Sequence, residues 1–221
     1  MDHGQYLYGA IDAKGQTLLH YCCEYNQNWL ARMTVEFMFG EHSNSNIRQH
    51  MEEHSPENRP TLMEYINLKS REGLTCIHYA AFWGNNRMIE YLVARGANAF
   101  VKDNHKHSLM HIAAQGDQVN CIYYILKNLA FDINEWDMKL STPLHWAAYL
   151  QHEVGLCFLL AWGANPNLYD KDGNTPLHLA VLRSKNSTRC VRILLLKGAS
   201  RAVINHNGEW PIDKAETDEL W

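Results

Sequence analysis

The segment Ser141-Thr-Pro-Leu-His-Trp-Ala-Ala148 reappears 33 residues further on as Asn174-Thr-Pro-Leu-His-Leu-Ala-Val181. The histidine of this motif, always with Thr or Ser three positions before it, recurs with spacings of 33, 34 and 33 residues at His78, His111, His145 and His178. An earlier copy ends in His20, 58 residues before His78. A fixed period of this length indicates a repeat protein, in which each unit is one supersecondary structure that packs on its neighbours.

The first residues of each copy predict the start of an α-helix. A Thr or Ser at this position can accept a hydrogen bond from a free helix N–H and is a favoured N-cap; the five candidates are Thr17, Thr75, Ser108, Thr142 and Thr175. Pro143 and Pro176 follow at the first helical position, where the missing N–H costs nothing. Leu144, Ala147 and Ala148 then form a narrow apolar face at positions i, i+3 and i+4, which a neighbouring helix can approach closely.

A second helix is predicted in each unit. Its core face is expected at Met88, Ile89, Leu92 and Val93 in the second unit and at Cys121, Ile122, Ile125 and Leu126 in the third. Glycine follows three of these helices, at Gly96, Gly163 and Gly198, where a left-handed residue ends a helix at low cost. The third unit lacks this glycine, and Leu129 stands in its place.

These motifs resemble the ankyrin signature, Asp-x-x-Gly-x-Thr-Pro-Leu-His-x-Ala-Ala, with its period of about 33 residues. The resemblance extends from about residue 12 to about residue 215 and implies an all-α ankyrin-repeat solenoid of helix-turn-helix units with hairpin loops. After a lead segment, 1–11, one ankyrin-repeat domain is expected over 12–221. Its repeats are placed at 12–69, 70–102, 103–136, 137–169 and 170–204, followed by a partial unit at 205–221.

Three repeats depart from this period, and the last unit is incomplete. The third repeat has one extra residue beside Leu129. The first repeat is about 25 residues too long, which places an insertion near 38–62; this polar surface excursion is expected to hold one short helix around Ile47–His54. The fifth repeat has two extra residues near Ser184–Thr188. The partial unit lacks the Thr and the His of the motif, as expected for a degraded C-terminal cap, which solenoids need to cover the last apolar face.

Composition excludes several other classes of protein. Apolar residues make up 46% of the 221 residues and charged residues 20%, which favours a packed soluble protein over a disordered one. The net charge of −4 argues against a nucleic-acid-binding protein. No apolar run approaches ~18 residues, and the N-terminus lacks a secretory signal, so neither a transmembrane helix nor membrane contact is expected within this chain. The six cysteines are predicted to be reduced core residues of a cytoplasmic protein.

Candidate catalytic and metal-binding motifs are weak. His50 and His54 could share a helix face, but no third ligand is evident, and a solvated helix face is the simpler interpretation. The motif histidines, through the ankyrin resemblance, are expected to link adjacent loops by hydrogen bonds. We find no phosphate-binding loop and no nucleophile elbow. The chain by itself is therefore expected to be non-catalytic, without a metal or a cofactor.

Ankyrin arrays bind proteins through a concave surface, and their specificity lies in the variable positions. Soluble ankyrin repeats commonly have polar residues at several of these positions, but here the residues are apolar. They predict an exposed apolar patch that binds a protein or an extended peptide. The predicted site comprises Phe82, Trp83, Gly116, Trp146, Tyr149, Leu150 and Leu182. Gly116, a small residue between large ones, is expected to leave a shallow gap beside Trp83 and Tyr149. Alternatively, the insertion covers this patch, or the side chains pack between repeats.

A narrower resemblance covers roughly residues 105–213. The stretches Ser108–Gln118, Ser141–Ala147, Phe158–Ala164 and Ser187–Arg201 are similar to the N-terminal ankyrin domains of DHHC-type palmitoyltransferases. This resemblance implies a domain that recruits substrates for a membrane enzyme whose catalytic Cys-rich segment lies elsewhere in the parent chain. Members of that family can recognise an extended peptide through the Trp after Thr-Pro-Leu-His, which Trp146 matches, and an Asn, for which Gly116 stands here.

The sequence therefore predicts a monomeric protein-binding module, which acts as the recruitment domain of a palmitoyltransferase. Its expected location is the cytoplasm, or the cytosolic face of an internal membrane through the parent protein. A free-standing ankyrin adaptor or inhibitor and the ankyrin domain of an ion channel are the alternatives. A reading frame that continues into transmembrane helices and an Asp-His-His-Cys segment would favour the enzyme over these alternatives.

Overall fold

The computed structural model describes residues 11–39, 60–183 and 188–215, which belong to two compact units that divide after Asn104. Within these ranges the secondary structure consists of eleven α-helices and one short 3-10 helix, with no strands. The all-α repeat fold expected from the sequence is confirmed. None of the helices in the described ranges is long and apolar enough to cross a membrane.

The N-terminal unit contains five of the helices. They are α1 (Leu18–Glu24), α2 (Asn28–Phe39), α3 (Leu62–Ile66), α4 (Cys76–Phe82) and α5 (Asn86–Val93). Helix α1 packs against both α2 and α4, and α4 packs against α5. Each of the two motif helices, α1 and α4, thus pairs with the helix that follows it.

The C-terminal unit repeats this arrangement three times. Its helices are α6 (Leu109–Gln115), α7 (Val119–Asn128), α8 (Pro143–Tyr149), α9 (Glu153–Ala161), α10 (Pro176–Leu182) and α11 (Arg189–Leu196), followed by the 3-10 helix Pro211–Lys214. Helix α8 packs between α6 and α10, and the 3-10 helix packs on α10. The second helices form their own layer, in which α9 contacts α7 and α11.

The predicted helix faces account for the core. Leu144, Ala147 and Ala148 are fully buried on α8. On the second helices, the first three predicted positions of α5 and of α7 are buried, whereas Val93 and Leu126 are half-buried. Five of the cysteines are buried as well, but Cys157 is exposed on α9. The prediction of a core position for Cys157 was wrong, because its apolar neighbours Leu156 and Leu159 occupy the inner face of that helix.

Left-handed residues end the second helices as expected. Gly96, Gly163 and Gly198 have φ values of 94°, 94° and 89°. In the third unit, however, the left-handed residue is Ala130, with φ of 52°, whereas Leu129 is the C-cap of α7 with φ of −113°. The extra residue of that unit therefore moves the left-handed position one residue beyond the place expected from the pattern.

The insertion predicted for 38–62 has only its edges in the described residues. Met38 and Phe39 are the last residues of α2, and Met38 is buried. Leu62 begins α3, whose Tyr65 and Ile66 are buried. The central part, including the helix expected around Ile47–His54, lies outside the described residues, as do 184–187 in the fifth repeat and the chain after Ala215.

Candidate protein-binding site

Each motif histidine is held at the N-cap of its own helix. In α8, the backbone N–H of Thr142 donates to Nδ1 of His145 over 3.1 Å, and the Thr142 hydroxyl lies 2.8 Å from the same nitrogen. The other four motif copies have the same pair of contacts. The five predicted N-caps are confirmed. Because Nδ1 accepts, the ring proton is on Nε2, which is free to donate elsewhere.

In the C-terminal unit, Nε2 donates to the hairpin of the next repeat. The acceptors are the carbonyl oxygens of Ser141 for His111, at 3.0 Å, of Asn174 for His145, at 3.2 Å, and of Glu209 for His178, at 3.3 Å. The expected linking role is confirmed for these three histidines. Burial lowers the pKa of His145 to about 4, so the ring is neutral at physiological pH. No group of three potential ligands able to hold a metal ion is present in the described ranges.

Asp137 fixes both the hairpin before α8 and the indole of Trp146. Its Oδ1 accepts from the backbone N–H groups of Lys139, at 2.7 Å, and Ser141, at 2.9 Å. Its Oδ2 accepts from Nε1 of Trp146 at 3.0 Å and lies 3.4 Å from Nε2 of His107. Burial alone would raise the pKa of Asp137, but these hydrogen bonds outweigh burial and lower it to about 2. Asp137 is therefore ionised and holds Trp146 in one orientation.

Trp146 and Tyr149 form an aromatic cluster on α8. Their ring centroids are 6.4 Å apart in an edge-to-face arrangement, and His107 meets Trp146 in the same way at 5.1 Å. The guanidinium of Arg183 lies 4.9 Å from the centroid of Tyr149. Both large rings are half-buried, so each keeps accessible surface while its neighbours restrict its rotation.

The cluster lines one side of a cleft of about 340 Å³ in the C-terminal unit. Three of the predicted site residues, Trp146, Tyr149 and Leu182, contribute to its walls. Leu150 is exposed and Gly116 is the half-buried C-cap of α6, and neither belongs to this lining. The cleft thus combines apolar walls with polar side chains from the adjacent hairpins.

The N-terminal unit carries the other two predicted site residues. Phe82 and Trp83 are both exposed, with 52% of the surface of Trp83 accessible, and their rings meet edge-to-face with centroids 5.3 Å apart. Trp83 is the C-cap of α4, and Phe82 is the last residue of that helix. They form a small exposed aromatic patch at the end of the motif helix.

The aspartates of the site were not predicted from the sequence. Asp170 and Asp172 line the cleft, and Asp137 orients its tryptophan. All three lie in hairpin segments, where an Asp is commonly a turn former. The available signal was the spacing: Trp146 follows Asp137 by nine residues, as Tyr21 follows Asp12, and the Tyr21 hydroxyl donates to Asp12 Oδ2 at 2.7 Å.

Helix pairs, hairpins linked by motif histidines and a cleft beside the motif helices together define a repeat protein of the protein-binding type. A family model described as "Ankyrin repeats (3 copies)" matches residues 51–137, 77–170 and 133–207. Because these matches cover more than half of the chain, the chain belongs to the ankyrin-repeat family.

Proteins with different names share similar sequences with this chain. Inversin of Canis lupus familiaris is 27% identical over 158 residues, which are 69% of this chain and 15% of inversin. SH3 and multiple ankyrin repeat domains protein 2 of Homo sapiens is 29% identical over 156 residues, covering 68% of this chain and 8% of that protein. Palmitoyltransferase AKR1 of Lachancea kluyveri is 29% identical over 138 residues, covering 61% of this chain and 18% of AKR1. The chain thus matches only a small part of each relative.

Proposed function

We propose that this chain binds an extended segment of a partner protein in the aromatic cleft of its C-terminal unit. The observation that carries the proposal is the pair of half-buried rings, Trp146 and Tyr149, fixed by Asp137 and Arg183 at the wall of an open cleft. Aromatic side chains that are held in place supply contact area at a low entropic cost, and residues of this type dominate binding energies at interfaces. Ankyrin repeats as a family support a protein partner over a small molecule.

The cleft fits an extended peptide better than a folded surface. Its volume of about 340 Å³ suits one or two side chains, and its walls come from a helix end and from hairpin loops. Backbone groups of an extended segment can reach hydrogen-bonding partners among the exposed side chains of the lining, such as Asp172. Trp83 and Phe82, on the N-terminal unit, supply further aromatic surface for the same partner in this proposal.

We further propose that the module recruits substrates for a membrane-bound S-palmitoyltransferase. Two observations support this role: the match to palmitoyltransferase AKR1 and the position of Trp146 directly after Thr142-Pro-Leu-His145. The parent protein, in this proposal, acts at the cytosolic face of a membrane, and the chain described here supplies no catalytic residue.

Binding at the cleft is tested by capture of cytosolic proteins on the immobilised chain, followed by affinity measurement with the captured partner. Tyr149→Ala is expected to weaken the affinity about tenfold or more. Tyr169→Ala is the matched control, because Tyr169 is exposed in the same unit and does not line the cleft. Equal affinities for the wild type and Tyr149→Ala would contradict the proposed site.

The recruitment role has a separate test. The reading frame of the parent is expected to encode transmembrane helices and an Asp-His-His-Cys segment, and an excess of the free chain is expected to lower acylation of the captured partners in cells. An excess of the Tyr149→Ala chain should lower the acylation of these partners less than the wild-type chain does. A parent without an acyltransferase segment would contradict the recruitment role and leave protein binding, in an adaptor, as the function.

A further inference from the structure

Four hairpins begin with an Asp or Asn that accepts two turn hydrogen bonds through a single side-chain oxygen; these residues are Asp12, Asp137, Asp170 and Asn205. In the hairpin after Asp170, Oδ1 accepts from the backbone N–H groups of Asp172, at 3.0 Å, and Asn174, at 2.8 Å. In the hairpin after Asn205, the amide oxygen of the asparagine makes the equivalent two bonds, both at 3.0 Å. A neutral asparagine therefore satisfies the hairpin, and the negative charge of Asp170 is not required for the turn.

The second oxygen of the hairpin aspartate is used differently from repeat to repeat. Oδ2 of Asp137 accepts from the indole of Trp146 and faces the imidazole of His107. In the repeat that begins at Asp170, Leu179 occupies the position equivalent to Trp146. Ser141, in the preceding repeat, occupies the position equivalent to His107. The side chain of Asn174 is a hydrogen-bonding neighbour of Asp170, but a neutral amide supplies no positive charge.

Asp170 is consequently a buried carboxylate that has no ion-pair partner among the described residues, and it lines the cleft. Only 8% of its surface is exposed, and burial raises its pKa although the backbone N–H groups of Asn174 and Asp172 oppose this effect. Asp172, which is exposed, adds a second carboxylate to the same lining. A buried carboxylate is stabilised by a cation that approaches from the open side.

No Lys or Arg in the part of the chain that the structure describes forms an ion pair with Asp170 or Asp172. Lys139 also lines the cleft, but it is exposed and forms no ion pair with Asp170 or Asp172 in the described structure. Arg183 lies over the ring of Tyr149, which demonstrates that a guanidinium packs on the aromatic cluster. The lining therefore combines two carboxylates, one lysine and two aromatic rings.

We propose that the cleft takes a basic side chain of the partner, arginine or lysine, whose charged end pairs with Asp170 and Asp172 and whose stem packs on Trp146, Tyr149 and Leu179. This inference rests on the proposed function, since it names the chemistry of the segment that the cleft binds. Charge-assisted hydrogen bonds to the carboxylates supply specificity, and the aromatic walls favour a cation over a neutral polar group.

The test uses the whole chain and a set of capped alanine pentapeptides with one variable central residue. The central residues are arginine, its neutral isostere citrulline, and phenylalanine. Binding is followed by NMR through the indole Nε1–H of Trp146, assigned with the Trp146→Phe variant, and the backbone amides of Asp172 and Asn174. The arginine peptide is expected to shift these signals saturably, with an affinity about tenfold or more above that of the citrulline peptide.

Three variants connect the effect to the carboxylate. Asp170→Asn keeps an oxygen that can accept the hairpin hydrogen bonds, as Asn205 does in its own hairpin. This variant is expected to bind the arginine peptide with about tenfold lower affinity. Asp132→Asn removes an exposed carboxylate outside the cleft and should leave the affinity unchanged. Lys139→Ser removes a competing positive charge and should strengthen binding several-fold.

Equal affinities for the arginine and citrulline peptides, or an Asp170→Asn variant that binds like the wild type, would overturn the inference. A phenylalanine peptide that alone shifts the Trp146 signal would also overturn it, while supporting peptide binding in the cleft. If no peptide shifts these signals, the basic-residue inference fails. The proposed function is then decided separately by the effect of Tyr149→Ala on the captured partner.

Discussion

Lys106 occupies a left-handed backbone conformation that glycine adopts at the same hairpin position in other repeats. Its φ is 61°, compared with 76° for Gly15 and 79° for Gly173. The left-handed region costs an L-residue about 1–2 kcal/mol, whereas glycine loses about 0.5–1 kcal/mol more in backbone entropy on folding. We therefore predict that Lys106→Gly raises the free energy of unfolding by about 0.5–1 kcal/mol, as measured by urea denaturation.

Gly173→Ala is the matched control for this prediction. A Cβ at Gly173 would lie 2.8 Å from the backbone nitrogen of His206, in addition to the strain of its positive φ. The expected result is a loss of about 1–3 kcal/mol. A destabilised Lys106→Gly variant would contradict the argument, because it would mean that the lysine side chain contributes more than the strain costs.

Buried neutral histidines make stability depend on pH. His145 has a folded pKa of about 4, below the ordinary value of 6.5, so the unfolded chain binds more protons between these two values. Stability is then fully present above pH 6.5 and falls as the pH drops towards 4, by about 1.4 kcal/mol for each pH unit from this histidine. Burial lowers the pKa values of His20, His111 and His178 as well, which adds to the effect.

The measurement is urea unfolding at about pH 7 and about pH 5.5. His145→Gln removes one titrating group, so the difference in unfolding free energy between the two pH values should shrink by about 1 kcal/mol. The variant is expected to be less stable than the wild type at both pH values. His206→Gln, which replaces an exposed histidine, is the matched control. A pH difference that His145→Gln leaves intact would contradict this account.

At the scale of single residues, the sequence predicts what depends on near neighbours. Thr142 and Pro143 identify the start of α8 because capping is decided within one helical turn. The role of Asp137 in orienting Trp146 was not predicted, because it depends on contacts with Trp146, nine residues away, and with His107 of the preceding repeat. Ala130 likewise takes a left-handed conformation that no local signal assigned to it.

At the scale of helices, α8 packs on three others, α6, α9 and α10. Leu144 is fully buried in these contacts. We predict that Leu144→Asp unfolds at least the repeats around α8, with a loss of about 3–5 kcal/mol or more, because an unpaired carboxylate is buried between helices. Thermal melting followed by circular dichroism measures this loss.

Leu196→Asp provides the matched control, because Leu196 is 82% exposed on α11 and the same substitution there should cost little. Repeat arrays couple mainly between neighbours, so partial unfolding of the Leu144→Asp chain is consistent with the prediction. An unchanged melting curve would contradict the assignment of α8 to the core.

Helix positions were predictable because a 33-residue period repeats the same local signals, and each copy supports the others. The period carries no information where it is interrupted. Helices α2 and α3 flank the interruption in the first repeat, where the sequence pattern assigned no helix bounds, whereas Thr142 and Thr175 marked the starts of α8 and α10. Cys157 was misplaced for a related reason: α9 is apolar around most of its circumference, so hydrophobicity alone does not identify its inner face.

At the scale of the whole molecule, the fold defines a class of protein and leaves the partner open. Inversin matches 69% of this chain and palmitoyltransferase AKR1 matches 61%, although their names describe different proteins. Function on a shared fold resides in the side chains of the site. In the function that we propose, those side chains are the aromatic and acidic groups of the cleft and the exposed rings of the N-terminal unit.

We expect both units of the chain to contact the partner. Trp83 and Tyr149 lie at the ends of the motif helices of two different repeats, and aromatic anchors often contribute about 2 kcal/mol or more to binding. We expect Trp83→Ala and Tyr149→Ala each to lower the affinity for the captured partner about tenfold or more, with the melting temperature of each variant almost unchanged. A loss of several kcal/mol in stability would instead show that the rings are packed core residues, and undiminished binding by Trp83→Ala would restrict the interface to the C-terminal unit.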